Sequence, residues 1–340
     1  MAIVKIIPDK ISKEKLKNGY IQVEIDKSLD LKKEIKLLRK EKNAVILAHY
    51  YQEPDIQDIA DFVGDSLALS QQASKTNADI IVFAGVHFMA ETAKILAPRK
   101  KVLLPDLKAG CSLADSCPPA EFKKFLKKYP DHTVISYVNT TAEIKALTDI
   151  VCTSSNAVQI VNSLPENEKI IFAPDKNLGN YIKKITGRKK MIVWDGACHV
   201  HEEFSLERIL EIKKEHPEAK IIAHPECEQE ILIVADHIGS TASLLNFTIK
   251  DDSDKYIVAT ESGIIHQMKK ANPQKLFIPA PPNDSTCACN NCIFMKYITL
   301  EKTYLCLKHE MPEITLNENL RKKAEKSIIK MLEISERLGL

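Results

Sequence analysis

Cys111, in GCSLADSC, and Cys198, in WDGACHVHE, stand 87 residues apart in similar surroundings, and a third group of thiols, Cys287, Cys289 and Cys292, sits in CACNNC. Taken alone, the CxCxxC run fits zinc about as well as an iron–sulfur centre, and a disulfide between two of its members would suit redox control. A thiol at a matched place in each of three units favours the second of these. Three thiolates from three layers would hold a [4Fe–4S] cluster by three corners and leave one iron open as a Lewis acid able to assist loss of water. Cys117, Cys152, Cys227 and Cys306 read as structural thiols.

The matched spacing belongs to a longer repeat. AHYYQEPDIQDIADFVGDS from Ala48, SYVNTTAEIKALTDIVCTS from Ser136 and AHPECEQEILIVADHIGST from Ala223 align without gaps at offsets of 88 and 87 residues. His49 falls on Tyr137 and His224, Tyr51 on Asn139 and Glu226, Asp61 on Asp149 and Asp236, and Ser66 on Ser154 and Thr241. Positions two apart on an extended segment point the same way, so each unit offers a pair of polar groups just after a strand. The hydroxyls at Ser66, Ser154 and Thr241 each precede a helical stretch. There they either cap the helix or help its free N–H groups bind an anion. His87, His132, His216 and His266 have no such repeat support. Glu226 is the only carboxylate among the aligned strand-end pairs, which suits it to general acid–base work, with Tyr51 and Tyr137 assisting.

The elements that must carry these groups are legible as an alternation. Short continuous apolar runs (Ala44–Ala48, Ile80–Ala84, Val102–Leu104, Val134–Tyr137, Ile170–Ala173, Met191–Val193, Ile221–Ala223, Tyr256–Ala259 and Leu276–Ile278) read as strands buried on both faces. Stretches of helical period separate them. This is an α/β pattern, expected as three similar α/β/α sandwich domains related by pseudo-threefold symmetry around a central active site, since ligands sit beyond the carboxyl ends of such strands. The expected division is an N-terminal segment over 1–43, repeats over 44–130, 131–218 and 219–300, and a helical segment over 301–340, with Leu316–Leu340 as one amphipathic helix ending at Gly339.

Composition narrows the class of function. Forty-eight Lys and Arg against 46 Asp and Glu leave a net charge of +2, and 44% of residues are hydrophobic. Near-neutrality gives no electrostatic reason to expect a nucleic-acid or anionic membrane partner. No apolar run reaches the ~20 residues of a membrane span, and Met1–Asp9 is too short an apolar stretch for a secretory signal. A cytoplasmic setting is therefore expected, in which nine cysteines point to thiol or metal chemistry rather than disulfides.

With these residues in place the sequence resembles the quinolinate synthase family. The resemblance is carried in order by AHYYQ, GDSLALS, GCSLADSC, SYVNTTAEIKALTD, CTSSNAV, FAPDKNLG, WDGACHVHE, AHPEC, GSTAS, ATESG and the Cys-rich end running into MKYITLE. It covers the chain from about Ala44 onward. It implies three α/β domains around a central cavity and an oxygen-sensitive [4Fe–4S] cluster on three cysteines. It also implies condensation of iminoaspartate with dihydroxyacetone phosphate to quinolinate, phosphate and two waters on the de novo route to NAD. Transient contact with the enzyme that supplies iminoaspartate would accompany that role. The implied cluster ligands are Cys111, Cys198 and Cys292, the last because the family's ligand is followed three residues later by Met, as in Cys292-Ile-Phe-Met295; Cys289 is the alternative. CxCxxC departs from the CxxCxxC of some members and the single Cys of others. The implied substrate-binding groups are His49, Ser66, Tyr137, Asn139, Ser154, His224, Glu226 and Thr241, with Tyr51 matching an active-site tyrosine. Two other functions would use the same features: a different [4Fe–4S] hydro-lyase acting on a small hydroxy-acid, and a non-enzymatic metal or redox sensor.

Overall fold

The computed structural model describes residues 15–283 and 291–340; Cys287 and Cys289 lie outside the described residues. After a small hairpin, β1 (Leu16–Lys17) and β2 (Tyr20–Ile21), the chain builds three four-stranded sheets, all parallel. The first holds β3 (Ala44–His49), β4 (Phe62–Gly64), β5 (Ile80–Ala84) and β6 (Lys101–Leu103), in the order β4-β3-β5-β6. The second holds β7 (Thr133–Tyr137), β8 (Ile150–Cys152), β9 (Ile170–Ala173) and β10 (Met191–Val193), in the order β8-β7-β9-β10. The third holds β11 (Lys220–Ala223), β12 (His237–Ile238), β13 (Lys255–Ala259) and β14 (Leu276–Pro279), in the order β12-β11-β13-β14. One topology thus occurs three times, with helices between the strands.

The apolar runs form strands because both of their faces are covered: Ile80–Ala84 and Ile170–Ala173 are buried throughout. The sequence pattern missed one strand in each sheet, β4, β8 and β12. These are edge strands of two or three residues, too short to show a period.

The repeated Asp now has a structural role. Asp61 Oδ2 accepts from Ile46 N at 2.8 Å, Asp149 Oδ2 from Val134 N at 2.8 Å, and Asp236 Oδ2 from Ile221 N at 2.8 Å. The same three residues donate their own N–H groups back to the carbonyls of Ile46, Val134 and Ile221. Each Asp therefore pins the approach to an edge strand against the central strand of its sheet.

The tail helix runs from Glu318 to Arg337, capped by Asn317 and ending before Gly339, whose φ of +70° stops it. Its buried stripe includes Ala324, Ile328, Met331 and Ile334. Ser327 Oγ donates to Lys145 O at 2.9 Å, Asn156 Nδ2 to Ser335 Oγ at 2.9 Å, and Arg321 Nη1 to Ile95 O at 3.2 Å. The tail thus spans helical segments that lie between strands of the first and second sheets, and one apolar core joins them. The third sheet has separate cores on its two faces.

Candidate active site

The polar groups after β3, β7 and β11 meet in one pocket. His49, Tyr51, Ser66, Tyr137, Asn139, Ser154, His224, Glu226 and Thr241 all line it, as do Cys111, Cys198 and Cys292. The free space in it is about 60 Å³, which excludes a polymer. Its contacts cross from unit to unit. Tyr137 Oη donates to Glu226 Oε1 at 2.6 Å, His224 Nε2 lies 3.1 Å from Ser154 Oγ, and Tyr51 Oη lies 2.9 Å from Thr241 Oγ1.

The repeat fixes the tautomer of both histidines. Tyr51 N donates to His49 Nδ1 at 3.2 Å, and Glu226 N donates to His224 Nδ1 at 3.3 Å. With Nδ1 an acceptor, Nε2 carries the hydrogen and offers it to the pocket. Burial holds both imidazoles far below their ordinary range, at about 3, against the opposing pull of Glu226. Each is therefore a neutral donor suited to a carboxylate or phosphate oxygen. Glu226 is a carboxylate: burial acts against its charge, yet it is held below the usual carboxylate range, with the Tyr137 hydroxyl donating to it. Burial, with Glu226 alongside, drives the Tyr137 hydroxyl well above its ordinary range, so it keeps its proton.

The three hydroxyls do not cap their helices. Asp65 caps Ser66–Lys75, accepting from Ala68 N, and Ser240 caps Thr241–Lys250, accepting from Ser243 N. Ser154 lies in a turn closed by Asn156 Oδ1, which accepts from Thr153 N at 2.7 Å. Because other residues cap, the side chains of Ser66, Ser154 and Thr241 are left to the pocket. Asn139 Oδ1 is buried and has no hydrogen-bond partner among the described residues, the mark of an acceptor reserved for a ligand.

The cysteines share one local structure. Cys111, Cys198 and Cys292 are the N-cap residues of three four-residue helices, Ser112–Asp115, His199–Glu202 and Ile293–Lys296, and none uses its sulfur as a side-chain cap. The N–H groups of Leu113 and Ala114 address Cys111, and those of Phe294 and Met295 address Cys292. Burial pushes these thiols up, Cys111 to about 12 and Cys292 to about 11, and burial with Glu226 drives Cys198 well above its ordinary range. Such thiols ionise only when a cation supplies the opposing charge. Three helix N-terminal sulfurs on one pocket therefore fit a cationic metal cluster. Cys117, Cys152, Cys227 and Cys306 are fully buried, as structural thiols should be.

Several further site residues escaped sequence reasoning, all but Lys145 lying outside the aligned repeat segments. Thr260 Oγ1 lies 2.7 Å from Tyr51 Oη and 3.1 Å from His201 Nε2, while His201 Nδ1 lies 3.3 Å from Glu226 Oε2. A polar chain thus runs Tyr51–Thr260–His201–Glu226–Tyr137. Asn177 Nδ2 donates to Glu226 O at 3.1 Å. Lys145 Nζ, fully buried, donates to the carbonyls of Val138 and Thr140 and so grips the turn that carries Asn139. Glu261 accepts from Cys292 N at 3.2 Å and from Gly263 N at 2.7 Å, and pairs with Lys296 at 2.9 Å, which donates to Tyr51 O. A Cβ at Gly263 would fall 2.8 Å from Tyr51 C, so this approach of chain to chain requires glycine. The available sequence signal was the motifs themselves: SYVNTTAEIKALTD holds Lys145, FAPDKNLG Asn177, WDGACHVHE His201, and ATESG Thr260 and Glu261.

Comparison with known proteins places the chain in one family. The family model described as quinolinate synthetase A protein matches residues 33–333. The chain is 63% identical over 306 residues to the quinolinate synthase of Microcystis aeruginosa, covering 90% of this chain and 95% of that protein. It is 62% identical over 307 residues to that of Thermosynechococcus vestitus, covering 90% and 96%. It is 60% identical over 308 residues to that of Chloroherpeton thalassium, covering 91% and 95%. The chain belongs to the quinolinate synthetase A family.

Proposed function

We propose that the chain condenses iminoaspartate with dihydroxyacetone phosphate to quinolinate, phosphate and two waters, for NAD biosynthesis, with a [4Fe–4S] cluster on Cys111, Cys198 and Cys292. The observation that carries the reading is one pocket bounded by three N-cap cysteines and by anion-binding groups from three strand ends. When bound, the cluster supplies an open iron as a Lewis acid at the pocket wall.

The protein's own groups then have distinct tasks. The N-termini at Ser66 and Thr241 receive the phosphate and a carboxylate, where free N–H groups and the helix dipole favour negative charge. Ser154 and the Nε2–H groups of His49 and His224 hold the remaining carboxylate oxygens without adding charge. Asn139 offers its free oxygen to an imine or hydroxyl hydrogen. Glu226 removes a carbon-bound or hydroxyl proton, and the Tyr137 hydroxyl hydrogen-bonded to it returns one. Tyr51, held by Thr241 and Thr260, stands at the opposite side as a second hydroxyl donor.

Anaerobic reconstitution followed by iron and sulfide quantification and a quinolinate assay tests the reading. Four iron and four sulfide per chain, with pyridine-ring absorbance in the product, are expected. Cluster formation with dehydration of a hydroxy-acid but no pyridine ring would assign a different hydro-lyase instead, and metal binding without turnover would assign a sensor.

A further inference from the structure

One donor set in the pocket is not a cysteine triad. Cys198 Sγ, His201 Nδ1 and a carboxylate oxygen of Glu226 all lie within 4.8 Å of one another. His201 and Glu226 are each 3% exposed at the side chain, with Nδ1 and Oε2 3.3 Å apart. His201 Nδ1 is buried and makes no hydrogen bond among the described residues. Sulfur, imidazole nitrogen and carboxylate oxygen are the donors of a three-ligand zinc site with one position left open, and bonds of about 2.0–2.3 Å in a tetrahedron place donors about 3.3–3.6 Å apart. One edge already has that length. The other two edges are at most 4.8 Å.

Two further features point the same way. The outer partners are in place: Thr260 Oγ1 lies 3.1 Å from His201 Nε2, so its hydroxyl can accept the Nε2 hydrogen in the tautomer that frees Nδ1 for a cation, and Tyr137 donates to the second oxygen of Glu226. The set also occurs in one unit only. Cys198 and His201 flank one turn of His199–Glu202, whereas the residues three beyond Cys111 and Cys292 are Ala114 and Met295. A cradle for a three-cysteine cluster has no need of this histidine.

We propose that the chain without its cluster binds a single divalent cation of the zinc class through Cys198, His201 and Glu226, and that this cation blocks cluster insertion by taking Cys198. Binding releases one proton, from the Cys198 thiol, since Glu226 is already a carboxylate. Only the blocking step rests on the cluster assignment above; the binding step stands without it.

The test titrates the full-length, cluster-free chain with zinc chloride against a chromogenic chelator, and with cobalt chloride for its thiolate charge-transfer band. One cation per chain with one thiolate ligand is expected. Cys198→Ser, His201→Asn and Glu226→Gln should each weaken binding at least about tenfold, and Thr260→Val about 10–100-fold, as for other outer-shell partners. Cys111→Ser and Cys292→Ser should leave zinc affinity unchanged; circular dichroism of every variant separates lost ligands from lost fold. Zinc-loaded chain should take up no iron and sulfide until chelator is added, and chain holding its cluster should take up no zinc. Binding that survives His201→Asn but falls in Cys111→Ser or Cys292→Ser would place the ion on the cysteine triad and overturn the proposal. Equal cluster uptake with and without zinc would overturn the blocking step.

Discussion

Glu226 carries the largest burden of any single side chain, because the other titratable groups of the aligned strand-end pairs, His49, Tyr51, Tyr137 and His224, are held in their neutral forms. Its carboxylate touches Tyr137 at 2.6 Å and His201 at 3.3 Å, so the amide of Glu226→Gln keeps the shape and removes only the proton acceptor. Turnover should drop by ~10²–10⁴ while iron and sulfide content stay at wild-type level; near-normal kcat would remove Glu226 from the chemistry. The histidines make a pH prediction. His49 and His224 are at about 3 in the folded chain because burial opposes their charge, against 6.5 for a free imidazole. Between those values the unfolded chain binds the extra protons, so these groups take stability away as pH falls below about 6.5 and cost nothing above it. The urea midpoint of cluster-free protein should therefore fall from pH 7 to pH 5, and His49→Gln with His224→Gln should flatten that slope; an unchanged slope would show that neither histidine is buried neutral. These residues were legible from sequence because threefold recurrence at strand ends marked them. His201, Thr260 and Asn177 were not, because each works through contacts made only when the units meet, and Lys145 was not, because the aligned positions hold Gln57 and Leu232 and no residue type recurs.

At the scale of elements, the repeat recorded two kinds of constraint that look alike in sequence. One is the pocket hydroxyl, the other the Asp that ties an edge strand to the central strand. Asp149 Oδ2 accepts from Val134 N at 2.8 Å, and Asp149 N returns a bond to Val134 O. Asp149→Ala should lower stability by about 1 kcal/mol, the net worth of one such bond, and Asp149→Asn, which keeps an acceptor oxygen, by less. Denaturant unfolding measures both, and equal midpoints for Ala and wild type would mean the backbone N–H is satisfied by water. The same bond explains why β4, β8 and β12 exist although no apolar pattern announces them. A two- or three-residue strand buries too little to be seen as a period, and its registry is set by a side chain upstream of it. The long central strands were legible for the opposite reason: covered on both faces, they must be apolar throughout.

Across the whole molecule the three sheets share one topology but not one core. The tail helix closes elements of the first two units under a single apolar cluster, while the third sheet packs its faces in clusters of its own. Ile328 lies fully buried on the tail helix, one residue past Ser327, whose hydroxyl is bonded to Lys145 O. Lys145 in turn holds the turn bearing Asn139, and Asn156 joins Ser335 to the turn bearing Ser154, so the tail reaches the pocket at two places. Ile328→Ala should cost about 2–5 kcal/mol through the lost methyl groups and the cavity left behind. The loss should not spread evenly. Hydrogen exchange should accelerate in residues 87–96 and 142–162, which the tail covers, and stay near wild type in the third sheet, residues 220–279. Uniform acceleration would mean that the three units unfold as one, and that the separate cores of the third confer no independent stability. A graded result would instead make the third unit, which supplies His224, Glu226 and Thr241, a wall of the pocket stable independently of the tail.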